Sequence, residues 1–438
     1  MRLQIENIGK IKEADITIDG VTIIAGENST GKSTIGKVTF CLFDALHNLR
    51  ANIIRRKYEH FDNILDDFYG SCMRALRFEP RPNRSALTDL ARLLTITRKK
   101  ITQNETLTAA EILDGFEQVK GKSEAPLIME EFRESFAQTA GEIETYSNVP
   151  AEKIIKETIS DEFNKAFHSQ INFLGQLDQE AKITATVKKD TIKFTFDKHY
   201  CNSLEINATL NNRAILIDDP TVLNRLNSPG RQALNWTRYD NDDYTNLWEE
   251  KLINYLRGEA KPDPALRVIL KEKLENIHQI INQAIDAQIE ETEEGWVLRE
   301  AGASYAIDFA NLSYGLRSFI VIKMLMEKGA LSERDVLILD EPEIHLHPQW
   351  QVLFAQLVVL LQKKLDLSVI ITTHSPYFIE AIEVYSRLYG TREKANFYLA
   401  EADGDRASMR QVNDNLEAIY KKMAEPYRTL DKIVSALD

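Results

Sequence analysis

The feature that most constrains the fold is a stretch near the N-terminus that reads Gly26-Glu27-Asn28-Ser29-Thr30-Gly31-Lys32-Ser33. It matches the pattern G-x-x-x-x-G-K-[ST] at every fixed position. The apolar run 21–25 before it predicts a buried strand, and residues 33–49 after it predict a helix. A loop between a strand and a helix directs backbone N–H groups and the positive end of the helix dipole towards phosphate oxygens. The motif therefore predicts an α/β fold built around a phosphate-binding loop.

The polar residues of this loop have separate expected roles. Lys32 is expected to reach the β- and γ-phosphates of a nucleotide, and the Ser33 hydroxyl is expected to coordinate Mg²⁺. The predicted cofactors are therefore ATP and Mg²⁺. The residues predicted to bind the nucleotide in this segment are Gly26, Asn28, Ser29, Gly31, Lys32, Ser33 and Thr34.

Length and composition are those of a soluble globular protein. The 438 residues suffice for a large core and two or three domains, and 43% of them are hydrophobic and 28% charged. No apolar run approaches the ~20 residues of a membrane span, and the alternating N-terminus does not resemble a signal peptide. Cys41, Cys72 and Cys201 are widely spaced and suggest neither a disulfide framework nor a zinc site. We therefore expect a cytoplasmic protein without a membrane partner.

The charge of the chain bears on nucleic-acid binding. A net charge of −13 argues against a general nucleic-acid coat. Short basic clusters occur at 55–57 and 98–100, and we interpret them as solvated helix faces. The acidic balance does not exclude contact with DNA through one local patch.

Hydrophobic periodicity divides the chain into segments of different type. Helical spacing dominates residues 33–170, whereas 182–187 and 191–196 alternate with period two, as in a hairpin. A helix is expected over 264–290, and Pro80–Asn83 is a candidate linker. The expected division is 1–48 and 295–400 for the two parts of a nucleotide-binding head, 49–175 for a helical insertion, 176–225 for a β-rich lobe, 226–294 for a helical and irregular segment, and 401–438 for a helical tail.

A second apolar strand, 336–339, ends in the carboxylates of Asp340 and Glu341. Beside a phosphate loop, an Asp in this position usually belongs to the Mg²⁺ shell. The next Glu is then placed to polarise an attacking water. Alone this pattern is a weak signal, and its pairing with the phosphate loop gives it weight.

Two further polar sites flank that strand in the sequence. Ser313 and Gly315 precede an amphipathic helix over 316–328, and Ser313 with the helix N–H groups could bind phosphate, although a plain helix cap has the same pattern. The strand 368–373 ends at His374, which could contact a γ-phosphate or align water. Because both sites follow the phosphate loop in series, we interpret them as parts of one nucleotide site.

Together the four elements resemble the head of an ABC-type ATPase, in the order phosphate loop, signature, Walker B strand and switch histidine. The stretches 339–348 (Leu-Asp-Glu-Pro-Glu-Ile-His-Leu-His-Pro) and 373–376 resemble those of OLD-type and RecF/SMC-like ATPases. The motif matches cover about 1–40 and 305–385. The resemblance implies an α/β head with a mixed-sheet core, an antiparallel β lobe and a large helical insertion.

The resemblance also implies how the head works. Such heads bind ATP between two protomers, which implies a homodimer or a higher homo-oligomer held through the ATP site. Lys32 and Ser33 of one chain would face Ser313 and Gly315 of the other. Hydrolysis would remove the γ-phosphate contact and weaken the dimer.

Residue roles follow from the same resemblance. The expected metal ligands are Ser33 and Asp340, and the expected catalytic residues are Lys32, Glu341 as the group that activates water, and His374 as the sensor of the γ-phosphate. We expect His345 and His347 to lie where two heads meet. The glutamine loop of the family is not located, and its candidates are Gln170, Gln176 and Gln179.

The resemblance suggests a regulatory function. OLD-type nucleases carry a TOPRIM nuclease domain after the switch histidine, but this sequence ends 64 residues after His374. We therefore expect an ATPase without nuclease activity of its own that controls a separately encoded effector, a nuclease or a toxin. ATPase subunits of bacterial anti-phage systems such as Septu and PARIS are of this kind, and the insertion 49–175 would be the docking surface.

Two other functions remain as alternatives. One is a RecF/SMC-like repair or recombination ATPase that acts directly on DNA, which the net charge of −13 disfavours without excluding. The other is an ABC ATPase that serves a transporter, against which the residues after Glu341 and the lack of apolar spans both argue.

Overall fold

The computed structural model describes residues 1–76, 84–103, 106–176, 178–227, 246–258, 273–293 and 295–435. The chain forms two compact units. One comprises Met1–His47 with Thr158–Asp438 and is called the head below; the other, Asn48–Glu157, is called the helical unit. The candidate linker Pro80–Asn83 and much of the expected segment 226–294 lie outside the described residues.

Among the residues that the structure describes, strands occur only in the head, and they are numbered here in chain order. They are β1 Arg2–Ile8, β2 Ile11–Thr17, β3 Val21–Gly26, β4 Ala181–Val187, β5 Asp190–Asp197, β6 Tyr200–Ile206, β7 Ala214–Ile217, β8 Ala287–Thr292, β9 Gly295–Glu300, β10 Ile307–Asp308, β11 Val336–Asp340, β12 Ser368–Thr373, β13 Ala395–Asp403 and β14 Arg406–Gln411.

The helices are described by their bounds. Those outside the helical unit are Lys32–Leu46, Leu223–Leu226, Leu247–Arg257, Glu275–Ala284, Tyr314–Glu327, Pro348–Leu365, Pro376–Leu388, Glu417–Met423 and Glu425–Ser435, and Ala151–Phe167 runs from one unit into the other. Across the described part of the chain, no helix combines the length and the apolar character needed to cross a membrane.

One eleven-stranded sheet organises the head, in the order β6-β5-β4-β1-β2-β14-β13-β3-β12-β11-β7. The strands from β13 to β7 pair in parallel, whereas β6, β5, β4, β1 and β2 pair antiparallel. A separate three-stranded sheet has the order β10-β9-β8. The α/β fold class, with a mixed-sheet core, an antiparallel lobe and a large helical insertion, is confirmed, as is the hairpin predicted over 182–196.

The parallel part of the sheet is buried on both faces. Every residue of β3 is buried, as are the four apolar residues of β11, because helices cover both faces of parallel strands. The helices Lys32–Leu46 and Pro348–Leu365 supply much of this cover through their own buried residues. The carboxyl ends of β3, β12, β11 and β7 therefore lie side by side along one edge of the sheet.

The helical unit has its own apolar core. Its helices are Leu49–Leu76, Arg84–Gln103, Ala109–Lys120, Pro126–Glu131 and Arg133–Ser147, followed by the start of Ala151–Phe167. The aromatic centre of this core includes Phe68, Phe116 and Phe136, with Phe116 stacked on Phe136 at 5.3 Å between ring centroids. Arg98, from one of the basic clusters, pairs with Asp62 and Asp66 inside the unit.

The structure differs from the sequence expectations at three segments. The helix expected over 264–290 is helical only over Glu275–Ala284 among its described residues, and the chain then forms β8. The helical tail expected from residue 401 includes β14, which is part of the large sheet. The helix Ala151–Phe167 ends before residue 175, the boundary that was expected for the helical insertion. The two missed strands carry few apolar residues, so their period-two pattern is weak.

A cluster of charged side chains, with Glu162 at its buried centre, includes Asp44 of the phosphate-loop helix Lys32–Leu46. Glu162 approaches Asp44 and Lys251, and one of its oxygens, Oε2, is buried without a hydrogen-bond partner among the described residues. Burial, and after it the charge of Asp44, raise the pKa of Glu162 to about 7 against the opposing charges of Lys251 and Lys165. Lys251 also donates to the Asp44 carboxylate.

The raised pKa of the Glu162 carboxyl predicts how the stability of the head depends on pH. The folded state keeps the proton of Glu162 up to a pH of about 7, whereas the unfolded state releases it above about pH 4.5. The stabilisation by this bound proton is therefore complete below about pH 4.5 and is lost as the pH rises through about 7. We expect the free energy of unfolding to fall by about 3 kcal/mol across this range through Glu162 alone. Glu162→Gln should flatten the dependence, measured by urea unfolding at pH 5 and pH 8.

Tryptophan fluorescence is a suitable signal for this measurement, because the four tryptophans of the sequence all lie outside residues 48–157. Asp161→Asn is the matched control, since Asp161 is exposed on the same helix. Equal pH dependence in the wild type and in Glu162→Gln would contradict the assignment.

Candidate nucleotide-binding site

An open cleft of about 440 Å³ lies at the sheet edge formed by the ends of β3, β11 and β7. The cleft is lined by Lys10, Asn28, Ser29, Gly31, Lys32, Ser33, Thr34, Asp218, Asp340, Glu341 and Ile344. It therefore brings the phosphate loop together with the two carboxylates that follow β11, which are about 300 residues away in the sequence.

The phosphate loop is shaped to leave backbone donors free. Gly31 is the N-cap of the helix Lys32–Leu46 with φ of +78°, and no side chain caps this helix start. A Cβ at Gly31 would lie 3.0 Å from Cγ1 of Ile11, so both the backbone conformation and the space favour glycine. The first N–H groups of a helix have no partners within the helix, which suits this turn to an anion.

Lys32 is a buried cation whose partners belong to its own loop. Its side chain is 4% exposed, and Nζ donates to the carbonyls of Gly26 at 3.0 Å and Glu27 at 2.7 Å. Nζ also lies 3.7 Å from Oε1 of Glu341. Burial lowers the pKa of Lys32, and the carboxylates of Glu341 and Asp340 oppose that shift. A phosphate group would give this ammonium a second anionic partner beside Glu341, so the loop fits a nucleotide.

Thr372, near the end of β12, holds both carboxylate residues of the Walker B segment. Its hydroxyl donates to Oδ1 of Asp340 and accepts from the backbone N–H of Glu341 at 3.0 Å. The same N–H reaches the Thr372 carbonyl at 3.1 Å. Glu341 has a φ of +48°, a conformation that costs a non-glycine residue about 1–3 kcal/mol and is kept only where the surroundings impose it. No role was predicted for Thr372 from the sequence.

His374 lies beside the cleft rather than in its lining. Its Nδ1 is 3.5 Å from Oε2 of Glu341 and 3.7 Å from Oε1 of Glu343. Glu343 is buried, and burial raises the pKa of its carboxyl, while hydrogen bonds from Thr373 and His374 oppose the shift. The predicted base and the predicted sensor are thus neighbours in one chain.

Ser313 and Gly315 are not brought into this cleft. Ser313 is the N-cap of the helix Tyr314–Glu327, it is exposed, and its side chain makes no capping hydrogen bond. A Cβ at Gly315 would lie 3.0 Å from the carbonyl oxygen of His345, so glycine lets the turn after β11 approach this helix. Within one chain, the signature segment and the phosphate loop are separate.

Three residues of the cleft lining were not predicted: Lys10, Asp218 and the apolar Ile344. Lys10 belongs to the turn between β1 and β2, a short hairpin that precedes the phosphate loop. Asp218 follows β7, and the indole Nε1 of Trp248 donates to its Oδ2 at 2.8 Å. Burial raises the pKa of the Asp218 carboxyl. The signal was present, because β7, like β11, is an apolar run that ends in two acidic residues, Asp218 and Asp219.

The proposed positions of a glutamine loop are elsewhere. Gln170, Gln176 and Gln179 do not line the cleft. The Gln176 side chain accepts from Arg406 at 3.0 Å, and the Gln179 carbonyl accepts from Asn7 at 2.8 Å. The neighbour of β11 on the side away from β12 is β7, and the residue after β7 that lines the cleft is Asp218.

The donor set suits a magnesium ion that arrives with a nucleotide. Among the described residues, no group of three or more His, Cys, Asp or Glu side chains could hold a metal by itself. Mg²⁺ in nucleotide sites usually takes one or two protein ligands and completes its shell with phosphate oxygens and water. Ser33 and Asp340, which line the same cleft, fit that requirement.

The sequence matches the AAA ATPase domain family over residues 1–379. The chain belongs to this family. It is a P-loop ATPase, and its motifs follow the order found in ABC-type heads.

Three solved structures resemble the ATPase over most of its length. The SMC head domain from Thermotoga maritima is 11% identical and covers 94% of this chain and 98% of that chain, with a TM-score of 0.37. An SmcHead bound to the C-winged helix domain of ScpA is 10% identical and covers 94% and 96%, with a TM-score of 0.41. An Smc head domain with an extended coiled coil, bound to the C-terminal domain of ScpA derived from Pyrococcus furiosus, is 11% identical and covers 97% and 98%, with a TM-score of 0.33. TM-scores below 0.5 do not establish a shared fold, so the family assignment rests on the sequence match.

The position of Lys32 predicts a loss of nucleotide affinity in Lys32→Ala. Removing the ammonium should weaken binding of a fluorescent ATP analogue at least about tenfold, since a buried charge-assisted contact contributes about 1.5–3 kcal/mol. Lys12→Ala is the matched control, because Lys12 pairs with Asp403 and does not line the cleft. Unchanged affinity in Lys32→Ala would contradict the role assigned to this residue.

Proposed function

We propose that this ATPase is a nucleotide-controlled switch: two chains close around Mg²⁺ and ATP, Glu341 drives hydrolysis, and the cycle controls a separately encoded effector. The observation that carries the proposal is the division of the site. The phosphate loop and both carboxylates line one cleft, whereas Ser313 lies outside it with an exposed hydroxyl that does not cap its own helix. A second chain would complete the site.

Each residue of the cleft has a chemical task in this proposal. Lys32 and the N–H groups at the helix start hold the phosphates, and Ser33 and Asp340 hold Mg²⁺, which when bound offsets phosphate charge. Glu341 takes a proton from the attacking water, a task that suits a carboxylate 23% exposed at the cleft wall. His374, next to Glu341, senses the γ-phosphate.

The surface around the signature helix supports association of two chains. Tyr314 and Ile344 are large apolar side chains that are 49% and 41% exposed. His345 packs on Tyr314 with 4.9 Å between ring centroids, and Arg317 lies over the same tyrosine ring. Tyrosine side chains are enriched where proteins associate, whereas Arg317 is itself buried and only supports the Tyr314 ring. Ser313, at the start of this helix, would meet the nucleotide of the second chain when the patch is covered.

The effector would bind the helical unit. That unit has a core of its own and comprises Asn48–Glu157, so it can present a surface while the head binds nucleotide. A net charge of −13 favours a protein partner over DNA, because DNA binding depends on neutralising phosphates. By its resemblance to OLD-like ATPases, this protein would act in bacterial anti-phage defence, with a nuclease or a toxin as the effector.

Glu341→Gln is expected to trap the assembled state. The amide cannot accept the proton of water, so hydrolysis should fall at least about 100-fold while ATP binding remains. With ATP and Mg²⁺ the variant should elute as a dimer in light-scattering chromatography, and without ATP as a monomer. Adding Ser313→Arg should prevent the dimer but leave binding of the ATP analogue intact. Wild-type hydrolysis by Glu341→Gln, or a dimer that ignores ATP, would refute this part of the proposal.

The effector is tested by affinity purification. Glu341→Gln would be recovered from its native host with ATP and Mg²⁺ and analysed by mass spectrometry, with Lys32→Ala as the control that cannot be loaded. We expect a stoichiometric nuclease or toxin with Glu341→Gln only. Recovery of the ATPase without a protein partner, but with nuclease-sensitive DNA, would instead indicate a RecF/SMC-like ATPase that acts on DNA.

A further inference from the structure

Glu343 is a buried carboxylate that no part of the proposed chemistry uses. It follows Glu341 by two residues and is 3% exposed. Its Oε1 accepts from the Thr373 hydroxyl at 2.5 Å and from the backbone N–H of His374 at 3.0 Å. These bonds join the turn after β11 to the end of β12. Glu343 thus fixes the backbone of His374 from across the sheet edge.

The bonds continue into a closed circuit. The Thr373 hydroxyl accepts from the Ser375 N–H at 3.0 Å, and the Ser375 hydroxyl donates to Oε1 of Gln351 at 2.6 Å. Nε2 of Gln351 donates to the Leu346 carbonyl at 3.1 Å, and the Leu346 N–H returns to the Glu343 carbonyl at 3.0 Å. The end of β12, the turn after β11 and the next helix are therefore held as one body.

A carboxyl is a costly choice for a purely structural role here. Burying such a group costs free energy unless its hydrogen bonds are made, and Oε2 of Glu343 is buried without a partner among the residues that the structure describes. An apolar side chain could fill the same space without that cost. Only the two bonds that Oε1 accepts, from Thr373 and from the N–H of His374, offset this cost, so the role of Glu343 lies at these two residues.

The neighbouring imidazole is the group that Glu343 can serve. Nδ1 of His374 lies between two carboxylates of the same turn, 3.7 Å from Oε1 of Glu343 and 3.5 Å from Oε2 of Glu341. The turn also carries His345, which packs on Tyr314 beside the signature segment. A displacement of His374 would therefore be transmitted through Glu343 to the patch proposed to meet a second chain.

We propose that Glu343 is a positioning residue, which holds His374 against Glu341 and couples its position to the turn that presents His345. The inference rests on the proposed role of His374 and adds the residue through which that role reaches the surface. Gln351 and Ser375 complete the coupling, because their hydrogen bonds close the circuit.

A double-mutant cycle in ATPase kinetics tests this inference. Glu343→Ala should lower kcat about tenfold or more, with KM and the Kd of a fluorescent ATP analogue within about threefold of the wild type, as for an interaction made only in the transition state. In the His374→Ala background, Glu343→Ala should lower kcat less than about twofold further, because residues that act as a unit are not additive. Glu343→Gln should stay within about threefold of the wild-type kcat, since the amide oxygen accepts the same two bonds.

Two controls keep the test decisive. Thermal melting of each variant shows whether the head still folds, and if Glu343→Ala does not fold, Gln351→Ala takes its place in the cycle. Gln351 is only half-buried, and its replacement opens the same circuit. Its effect on kcat should also vanish in the His374→Ala background.

The outcomes separate this inference from the function on which it rests. Additive losses in the cycle, or a wild-type kcat for Glu343→Ala, would overturn the positioning role while leaving His374 as the sensor. A wild-type kcat for His374→Ala would instead overturn the proposed role of His374 itself, and the coupling through Glu343 with it.

Discussion

Parallel hydrogen bonding among β3, β12, β11 and β7 is the constraint on which the rest of the structure depends. The register pairs Ala25 with Thr373 and Asp340 with Thr372, so the phosphate loop and the Walker B carboxylates begin at the same level of the sheet. Because side chains alternate between the two faces of a strand, a slip of one residue in β11 would move Asp340 away from the hydroxyl of Thr372. Strand register therefore determines which side chains lie at the cleft, whatever rotamers they adopt.

The charged side chains at this sheet edge lie close enough to affect one another. Lys32 lies near the carboxylates of Asp340, Glu341 and Glu343, and the burial of Lys32 and Glu343 makes these charges interact more strongly than in solvent. Lys32 is shared between loop carbonyls and Glu341, so a nucleotide would compete for partners that are already engaged. The free energy of binding then includes a rearrangement within the chain, which is how binding of a ligand can shift a protein between two states.

Much of the fold and part of the site were predictable from sequence. It was possible to predict the phosphate loop, Asp340, Glu341 and His374 because each lies at the polar end of one apolar strand. The fold class and the ATPase activity are confirmed, whereas the individual residue roles stay predictions. Asp218 was missed because β7 has only four residues and leads into Asp219-Pro220, which reads as a turn. Glu343 was missed because its significance depends on burial and on Thr373, thirty residues away in sequence.

The position of β3 in the sheet has a consequence for how the protein is made. Its two neighbours are β12 and β13, which begin at residues 368 and 395, so the strand that precedes the phosphate loop leaves the ribosome long before either partner exists. Residues 48–157, by contrast, can pack on each other as soon as they emerge, because their contacts are local. During synthesis β3 therefore emerges well before the strands that flank it, and until they are made it is an unpaired apolar segment that can aggregate or be bound by chaperones.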